Sequence, residues 1–503
     1  MHFKNLLILI LTLMSLNSVS AAIPKLEPGM GKTLEHIVGY SEIVAMGESM
    51  HNLSEPTLYR IPIFKYLVEN KGFTIMVGET GVLRARKIDA FIKAPIPSHW
   101  SAADYERELE RVTDEGLTHF MGEYQEMVEI VRYMHQYNLA HPKNQLSFVG
   151  IDLPKYGDNL YKMLHELESE LSFLSPTQIA RVSSYFVELK RLTKVQHFFY
   201  SLLEKASGGK VDPDYLDDIT SFGWEILTKK EQVKVKNQKK LLFSELKQMK
   251  LSSGQLETVE LFETLYGQLI RDLEVRDFYQ VQPLRNYFKK ALMAKTGTSN
   301  IKDLGIVLDQ KVDGDRALLI ENVFVKRNDM DSSRIGRDLS SPTGYDPDWT
   351  KYFQARYESR EHHLIDNLRS HMKGGAKLFF FAHNGHVQKT PIDDTKGGGT
   401  ILADVEGDNY KVIGVTNDQF MKDGKVLTDL FGMPVEESST QPDSFEWIVS
   451  QQTSDVVLIE TDQPWLDQER PFRWNTGFKP VNVAESFDGV LYFPHAQMGI
   501  KVK

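Results

Sequence analysis

Short apolar runs that stop at a glycine or a polar residue recur along this chain and alternate with long helical patterns. That alternation constrains the fold more than any other feature. The runs are Ile43–Met46 before Gly47, Phe73–Val77 before Gly78, Leu146–Ile151 before Asp152, and Lys377–Ala382 before His383. Lys411–Val415, Asp455–Ile459 and Gly489–Phe493 follow. Between them, Glu55–Lys71, Asp104–Gln136 and Tyr352–Lys373 carry helical spacing. Strands alternating with helices predict an α/β fold, a mainly parallel sheet with helices on both faces. Ligands of such sheets bind beyond the carboxyl ends of the strands, so the polar residues that follow the runs are the first candidates for chemistry.

Three regions stand outside this pattern. Residues 172–294 are almost entirely helical in spacing and rich in Leu, Lys and Glu, which predicts an all-helical insertion or subdomain. Within it Thr228–Lys240 carries six lysines, read either as a solvated helix face diluted by Glu231 and Glu245 or as a basic partner surface. Ser332–Pro347 holds Gly336, Pro342, Gly344 and Pro347 and reads as a loop. At the N-terminus, Lys4, the apolar run Leu6–Leu16 and the small residues to Ala22 read as a secretory signal peptide over residues 1–22, cleaved after Ala21 or Ala22. The run is short for a bilayer span, so no stable membrane span is expected after cleavage. The expected mature chain is one α/β domain, 23–503, in the periplasm or secreted.

Composition removes whole classes of function. With no cysteine, the chain has no disulfide, zinc–thiolate site, iron–sulfur cluster or thiol nucleophile, so any metal must sit on His, Asp and Glu. A net charge of −10 argues against a nucleic-acid partner, which calls for a basic surface. No nucleophile elbow, HExxH helix, phosphate-binding loop or dinucleotide fingerprint is present.

What remains is a set of ionisable residues at strand ends. Gly47-Glu48-Ser49-Met50-His51, with Glu55 and Arg60 beyond it, closes the first run. A carboxylate three residues from an imidazole can orient the ring and fix its tautomer, and Arg60 supplies a permanent cation. Glu79 follows Val77-Gly78, and Asp152 follows Gly150-Ile151. His383-Asn384-Gly385-His386 places two imidazoles at the end of a fourth run. If these strands share one sheet, Glu48, His51, Glu79, His383 and His386 converge on one cleft. There each neighbour tunes the next group's pKa.

In combination these motifs resemble the erythromycin esterase family. The resemblance rests on Gly47-Glu48-x-x-His51-x-x-x-Glu55-x-x-x-x-Arg60, Glu79 and Ala382-His383-Asn384-x-His386. Gly150-x-Asp152, Arg360 with Asn367, and Ser486-Phe487-Asp488 extend it across roughly Lys32–Phe493. The family is distantly similar to the Tiki/ChaN-like group. The resemblance implies hydrolysis of a small-molecule ester or lactone by water, without a metal. His51 would be the base, Glu48 its orienting carboxylate, and Glu79 a water-positioning group. Arg60 would stabilise charge, and His383 and His386 would polarise the carbonyl. Glu55, Asp152, Asn384 and Arg360 would bind substrate or support the site. The chain departs from the family at Met50 and at Asn52-Leu53-Ser54, where smaller residues are common; these are expected on the pocket wall.

Two other readings stay open at this level. One is a hydrolase with a divalent metal held by Glu48, His51, Glu79, His383 and His386. The other is a non-catalytic binding protein on the same fold. The sequence names neither a substrate nor a protein partner.

Overall fold

The computed structural model describes residues 22–118, 121–152, 171–185, 187–189, 229–278, 347–372, 374–430 and 433–502. The expected leader, apart from Ala22, and the loop Ser332–Pro347, apart from Pro347, lie outside the described residues. The chain divides into two compact units, Met1–Asp152 with Glu361–Lys503, and Leu153–Arg360.

The first unit is built on the predicted sheet. Its strands are β1 Ile43–Met46, β2 Ile75–Gly81, β3 Ser147–Asp152, β4 Leu378–Phe381, β5 Tyr410–Lys422, β6 Lys425–Val426, β9 Val457–Glu460 and β12 Gly489–Gln497. Between β6 and β9 come the short pair β7 Asp429–Leu430 and β8 Met433–Pro434. A hairpin of β10 Glu469–Trp474 and β11 Gly477–Asn482 precedes β12. The large sheet runs β3-β2-β4-β1-β5-β12-β9, with β6 paired to β5. All its pairings are parallel except β12 with β9 and β5 with β6.

Alternation along each strand feeds two cores, as expected of a sheet covered on both faces. Val44, Met46, Phe379 and Phe381 pack with Leu58, Ile61, Phe64 and Leu67 of the helix Ser54–Lys71. The helices Val82–Lys93, Ala102–Gly116 and Gln125–Ala140 share that side. On the other face Ile43, Ala45, Leu378 and Phe380 pack with Leu364, Ile365 and Leu368, and with Ile401 and Leu402 of the helix Gly398–Glu406. At about 1.5–3 kcal/mol per fully buried large aliphatic or aromatic side chain, these two layers supply the main drive for folding.

The expected helix Asp104–Gln136 is in fact two helices, Ala102–Gly116 and Gln125–Ala140, joined through a 3₁₀ turn at Met121–Glu123. The other helices and the strands fall within a few residues of expectation, with β2, β5 and β12 running longer at their carboxyl ends.

In the second unit the described helices are Pro176–Ser184, Lys229–Lys247 and Ser253–Phe278. The lysines at 229, 230, 234, 236 and 240 are exposed, and Lys234 pairs with Glu188 at 2.5 Å. Among the described residues no helix is long and apolar enough to cross a membrane.

Candidate active site

The site grows out of the register of three neighbouring strands. β4 lies between β1 and β2, with Phe381 level with Met46 on one side and Gly78 on the other. The next residues, Gly47, Glu79 and Ala382, therefore lie at the same height; Gly47 and Ala382 leave the sheet there, while β2 runs on through Glu79 to Gly81 beside β3, with a register shift after Gly78. The segments Glu48–His51, Glu79–Gly81 and His383–His386 meet there.

Gly47 has no alternative. A Cβ at this position would lie 1.9 Å from Asn384 Oδ1. The Asn384 carboxamide fills that space and spans to β5, donating to the Val415 carbonyl at 2.7 Å and accepting the Val415 N–H at 3.2 Å. The Asn384 N–H also donates to the Glu48 carbonyl at 2.9 Å. Asn384 thus ties the ends of β1 and β4 to β5.

Glu48 is buried and bidentate. Its Oε1 accepts from His51 Nδ1 at 2.6 Å and its Oε2 from Arg60 Nη2 at 2.5 Å. Arg60, 1 % exposed, lies over the Phe381 ring at 4.3 Å and reaches Met127 Sδ at 3.7 Å. Burial alone would raise the Glu48 carboxyl, but Arg60 and His51 outweigh it and hold it down at about 2. His51 shows the opposite balance: burial pulls its pKa down, and the charge and hydrogen bond of Glu48 more than reverse this. With Nδ1–H on Glu48, the neutral ring keeps its lone pair on Nε2, on the opposite edge. The His51 side chain is 29 % exposed, so solvent reaches it.

The other two histidines are held in opposite charge states. His383 caps the turn Asn384–Val387: its Nδ1 accepts the Gly385 N–H at 3.2 Å. Its Nε2 then carries the hydrogen, shared between the Ser49 carbonyl at 3.1 Å and Asn475 Oδ1 at 3.2 Å. Burial, reinforced by His51 and His386, pushes His383 down to about 4, so the ring is neutral. His386 lies between two carboxylates, with Nε2 3.1 Å from Glu79 Oε1 and Nδ1 2.9 Å from Glu361 Oε2. Burial opposes its charge, yet Glu361 and Glu79 raise it to about 10. Glu79 is completed by the His383 backbone N–H on Oε2 at 3.1 Å. The His51 and His383 rings stand 6.0 Å apart, centroid to centroid.

The remaining predicted residues are spread more widely. Glu55 accepts the Gln497 N–H at 2.7 Å and ties the helix Ser54–Lys71 to β12. Asp152 is buried at the end of β3, level with Gly81. Arg360 is half-buried and falls in the other compact unit, while Asn367 donates to the Ile151 carbonyl at 2.8 Å. The expectation that Met50 and Leu53 line the pocket is wrong. Both are buried in a small core with Phe420, Leu430 and Ala496. Asn52 adopts φ 67°, a left-handed conformation that glycine and asparagine tolerate best, so the departure there preserves the backbone.

Three contributors escaped the sequence reading. Glu361 is a mid-helix residue fully buried against His386. Trp474 and Asn475 form the tip of the β10–β11 hairpin. Trp474 meets the His383 ring edge to face at 4.9 Å, and Asn475 touches its Nε2. The aromatic residues Phe472, Trp474 and Phe478 around Asn475-Thr476-Gly477 mark a hairpin turn, not a site.

These donors do not fit a metal. Both His386 nitrogens face carboxylates, the His383 lone pair accepts an N–H, and Glu48 is shared between His51 and Arg60. Among the described residues no three His, Asp or Glu side chains are placed to hold an ion. A cavity of about 700 Å³ lies at the other end of the sheet, lined by His36, Tyr40, Lys411, Glu460 and Asp488 among others, and takes in none of the clustered residues.

A mainly parallel sheet with a His–carboxylate cluster at its carboxyl ends defines an α/β protein equipped for acid–base chemistry. The sequence model of the family described as "Erythromycin esterase" matches residues 68–294 and 341–496, and the chain belongs to that family. An Escherichia coli protein, "Erythromycin esterase type II", is 27 % identical over 129 residues, which are 25 % of this chain and 27 % of that relative. The match thus spans about a quarter of that relative's length. Three solved structures share the fold. One is a succinoglycan biosynthesis protein, 16 % identical, TM-score 0.58, covering 99 % of this chain and 98 % of that one. A Bacillus cereus protein is 18 % identical, TM-score 0.55, covering 97 % and 96 %. A mutant of the erythromycin esterase EreC in its open conformation is 19 % identical, TM-score 0.50, covering 96 % and 98 %. Family membership supports a hydrolase of the esterase type.

Proposed function

We propose that this protein is an exported hydrolase that cleaves a small-molecule ester or lactone with water as nucleophile and His51 as base. The observation that carries the reading is the chain Arg60–Glu48–His51. A cation fixes a buried carboxylate, which in turn fixes an imidazole and leaves its Nε2 lone pair on the edge away from Glu48.

His51 Nε2 takes a proton from water as the water oxygen bonds to the carbonyl carbon. The carbonyl π electrons move to oxygen, giving a tetrahedral oxyanion. The His383 Nε2–H, shared at long range between two oxygens, turns to that oxyanion. Collapse breaks the bond to the alkoxy oxygen, which leaves with the proton held by His51. The products are a carboxylic acid and an alcohol. A well-placed base contributes roughly 10²–10⁴-fold to such a step. One oxyanion donor contributes roughly 10²–10³-fold. Glu79 orients the water, and Arg60 acts through Glu48.

The test is a panel of aryl esters, lactones and a macrolide assayed with wild type and His51→Ala, each with circular dichroism as a fold check. Turnover by wild type that disappears in a folded His51→Ala supports the reading. Undiminished turnover in that variant would sink it. Export is tested separately, by N-terminal sequencing of the protein recovered outside the cytoplasm, with a new terminus expected at Ala22 or Ile23.

A further inference from the structure

His386 sits between two buried carboxylates. Each of its two ring nitrogens meets a different buried carboxylate, Glu361 at 2.9 Å and Glu79 at 3.1 Å. A neutral imidazole has one N–H and one lone pair, and would have to aim the lone pair at a carboxylate oxygen. Only the imidazolium satisfies both contacts. Glu361 is itself fully buried, and its Oε2 also accepts the Gly398 N–H at 2.7 Å, which fixes it at the start of the helix Gly398–Glu406.

We propose that Glu361 is a positioning residue of this site: it holds His386 as an imidazolium whose Nε2–H fixes the Glu79 carboxylate beneath the reacting water. This rests on the hydrolase reading above. The linkage runs from Glu361 through His386 to Glu79, and ends at the His383 backbone N–H on the second Glu79 oxygen.

Among the contacts described, the charged and titratable groups facing His386 are Glu361 from the helix Pro347–Ser370, Glu79 from β2, His383 from the same turn, and His51 after β1, with Glu48 and Arg60 behind His51. His383 is neutral and His51 sits beside its own carboxylate, so the two acidic neighbours dominate. The ring is held charged to about pH 10.

The experiment is histidine-selective ¹⁵N NMR of the full chain across neutral to alkaline pH. The His386 resonances are identified by their loss in His386→Gln. Wild type should show both ring nitrogens protonated through the neutral range. In Glu361→Gln, which keeps the shape and removes the charge, His386 should titrate at clearly lower pH. With an ester that wild type hydrolyses, kcat of Glu361→Gln should gain a new alkaline limb with KM little changed. The fall would reach about 100-fold, the loss that a 1 Å misplacement brings. Glu361→Asp should restore part of the wild-type profile.

A neutral His386 in wild type, or an unshifted titration in Glu361→Gln, overturns the proposal. So does a shifted titration in an active enzyme whose kcat profile does not change. The NMR arm needs no substrate, so failure of every ester to react would count against the hydrolase reading and leave the clamp to be judged on its titration.

Discussion

Glu48 binds His51 Nδ1 with one oxygen at 2.6 Å and Arg60 with the other at 2.5 Å, so one buried carboxylate sets both the tautomer and the basicity of the imidazole. Glu48→Gln removes the charge that raises the His51 pKa. A base must be neutral, so the acid limb of kcat/KM in wild type lies above the ordinary 6.5 of histidine. In Glu48→Gln that limb should move to lower pH, while the plateau falls by roughly 10²–10⁴-fold as the ring loses its orientation. A pH series of kcat/KM for the two proteins reads both effects. A plateau loss without a limb shift would separate orientation from charge.

Arg60→Met should destabilise the protein by about 3–5 kcal/mol near neutral pH, because it leaves a buried carboxylate uncompensated. The sign of its pH dependence follows from Glu48, whose folded pKa of about 2 lies below its ordinary 4.5. In wild type the contribution of Glu48 is complete above 4.5 and is lost as pH falls toward about 2. The deficit of Arg60→Met should therefore shrink on acidification, as the stranded carboxyl takes up a proton. Urea denaturation at neutral and acidic pH measures this, and Arg60→Met with Glu48→Gln should lose less than Arg60→Met alone.

Gly47→Ala tests the stitching of the strand ends. The new methyl would need the space of Asn384 Oδ1, so the carboxamide must leave both of its bonds to Val415. The expected cost is about 1–3 kcal/mol. In the background of Asn384→Ala the nearest remaining atom is Val387 Cγ2 at 3.2 Å, a contact relieved by a small shift of that side chain, and Gly47→Ala should then cost less. A double-mutant cycle in urea gives the coupling energy, and additivity would show that the two side chains do not compete.

The strand ends were legible because a buried strand must be apolar and the residue that leaves it must turn and become polar. β1 and β4 coincide with, or fall within one residue of, the apolar runs Ile43–Met46 and Lys377–Ala382. Their exit residues Glu48, His51, His383 and His386 carry the cluster. The break between Gly116 and Gln125 was hidden because Leu117 and Met121 extend the apolar spacing of a helix. Past the break, Gly122 packs against the backbone of Asp114, 2.4 Å from where a Cβ would sit, a long-range contact that the local spacing does not show. Glu361 was hidden by its helix, where one acid among many has no local mark, and its partner lies 25 residues away. Asn475 is 92 residues from His383, and nothing local to either residue announces their contact.

The hairpin tip offers a test of the neutral histidine. His383 is held down at about 4 by burial and by its imidazole neighbours, against an ordinary 6.5. Its folded pKa is depressed, so the stability it contributes is complete above 6.5 and is lost as pH falls toward about 4. Asn475→Asp keeps the side-chain shape and places a carboxylate where Oδ1 now stands, 3.2 Å from Nε2. That charge favours the imidazolium, so the folded pKa of His383 should rise and its acid-induced loss of stability should shrink. Asn475→Gly is the control: Asn475 has φ 51°, which glycine adopts freely, and the change removes the contact without adding charge. Urea denaturation of the three proteins between about 4 and 6.5 should show the flattest pH dependence in Asn475→Asp. Identical profiles in all three would mean that His383 Nε2 does not answer to the hairpin.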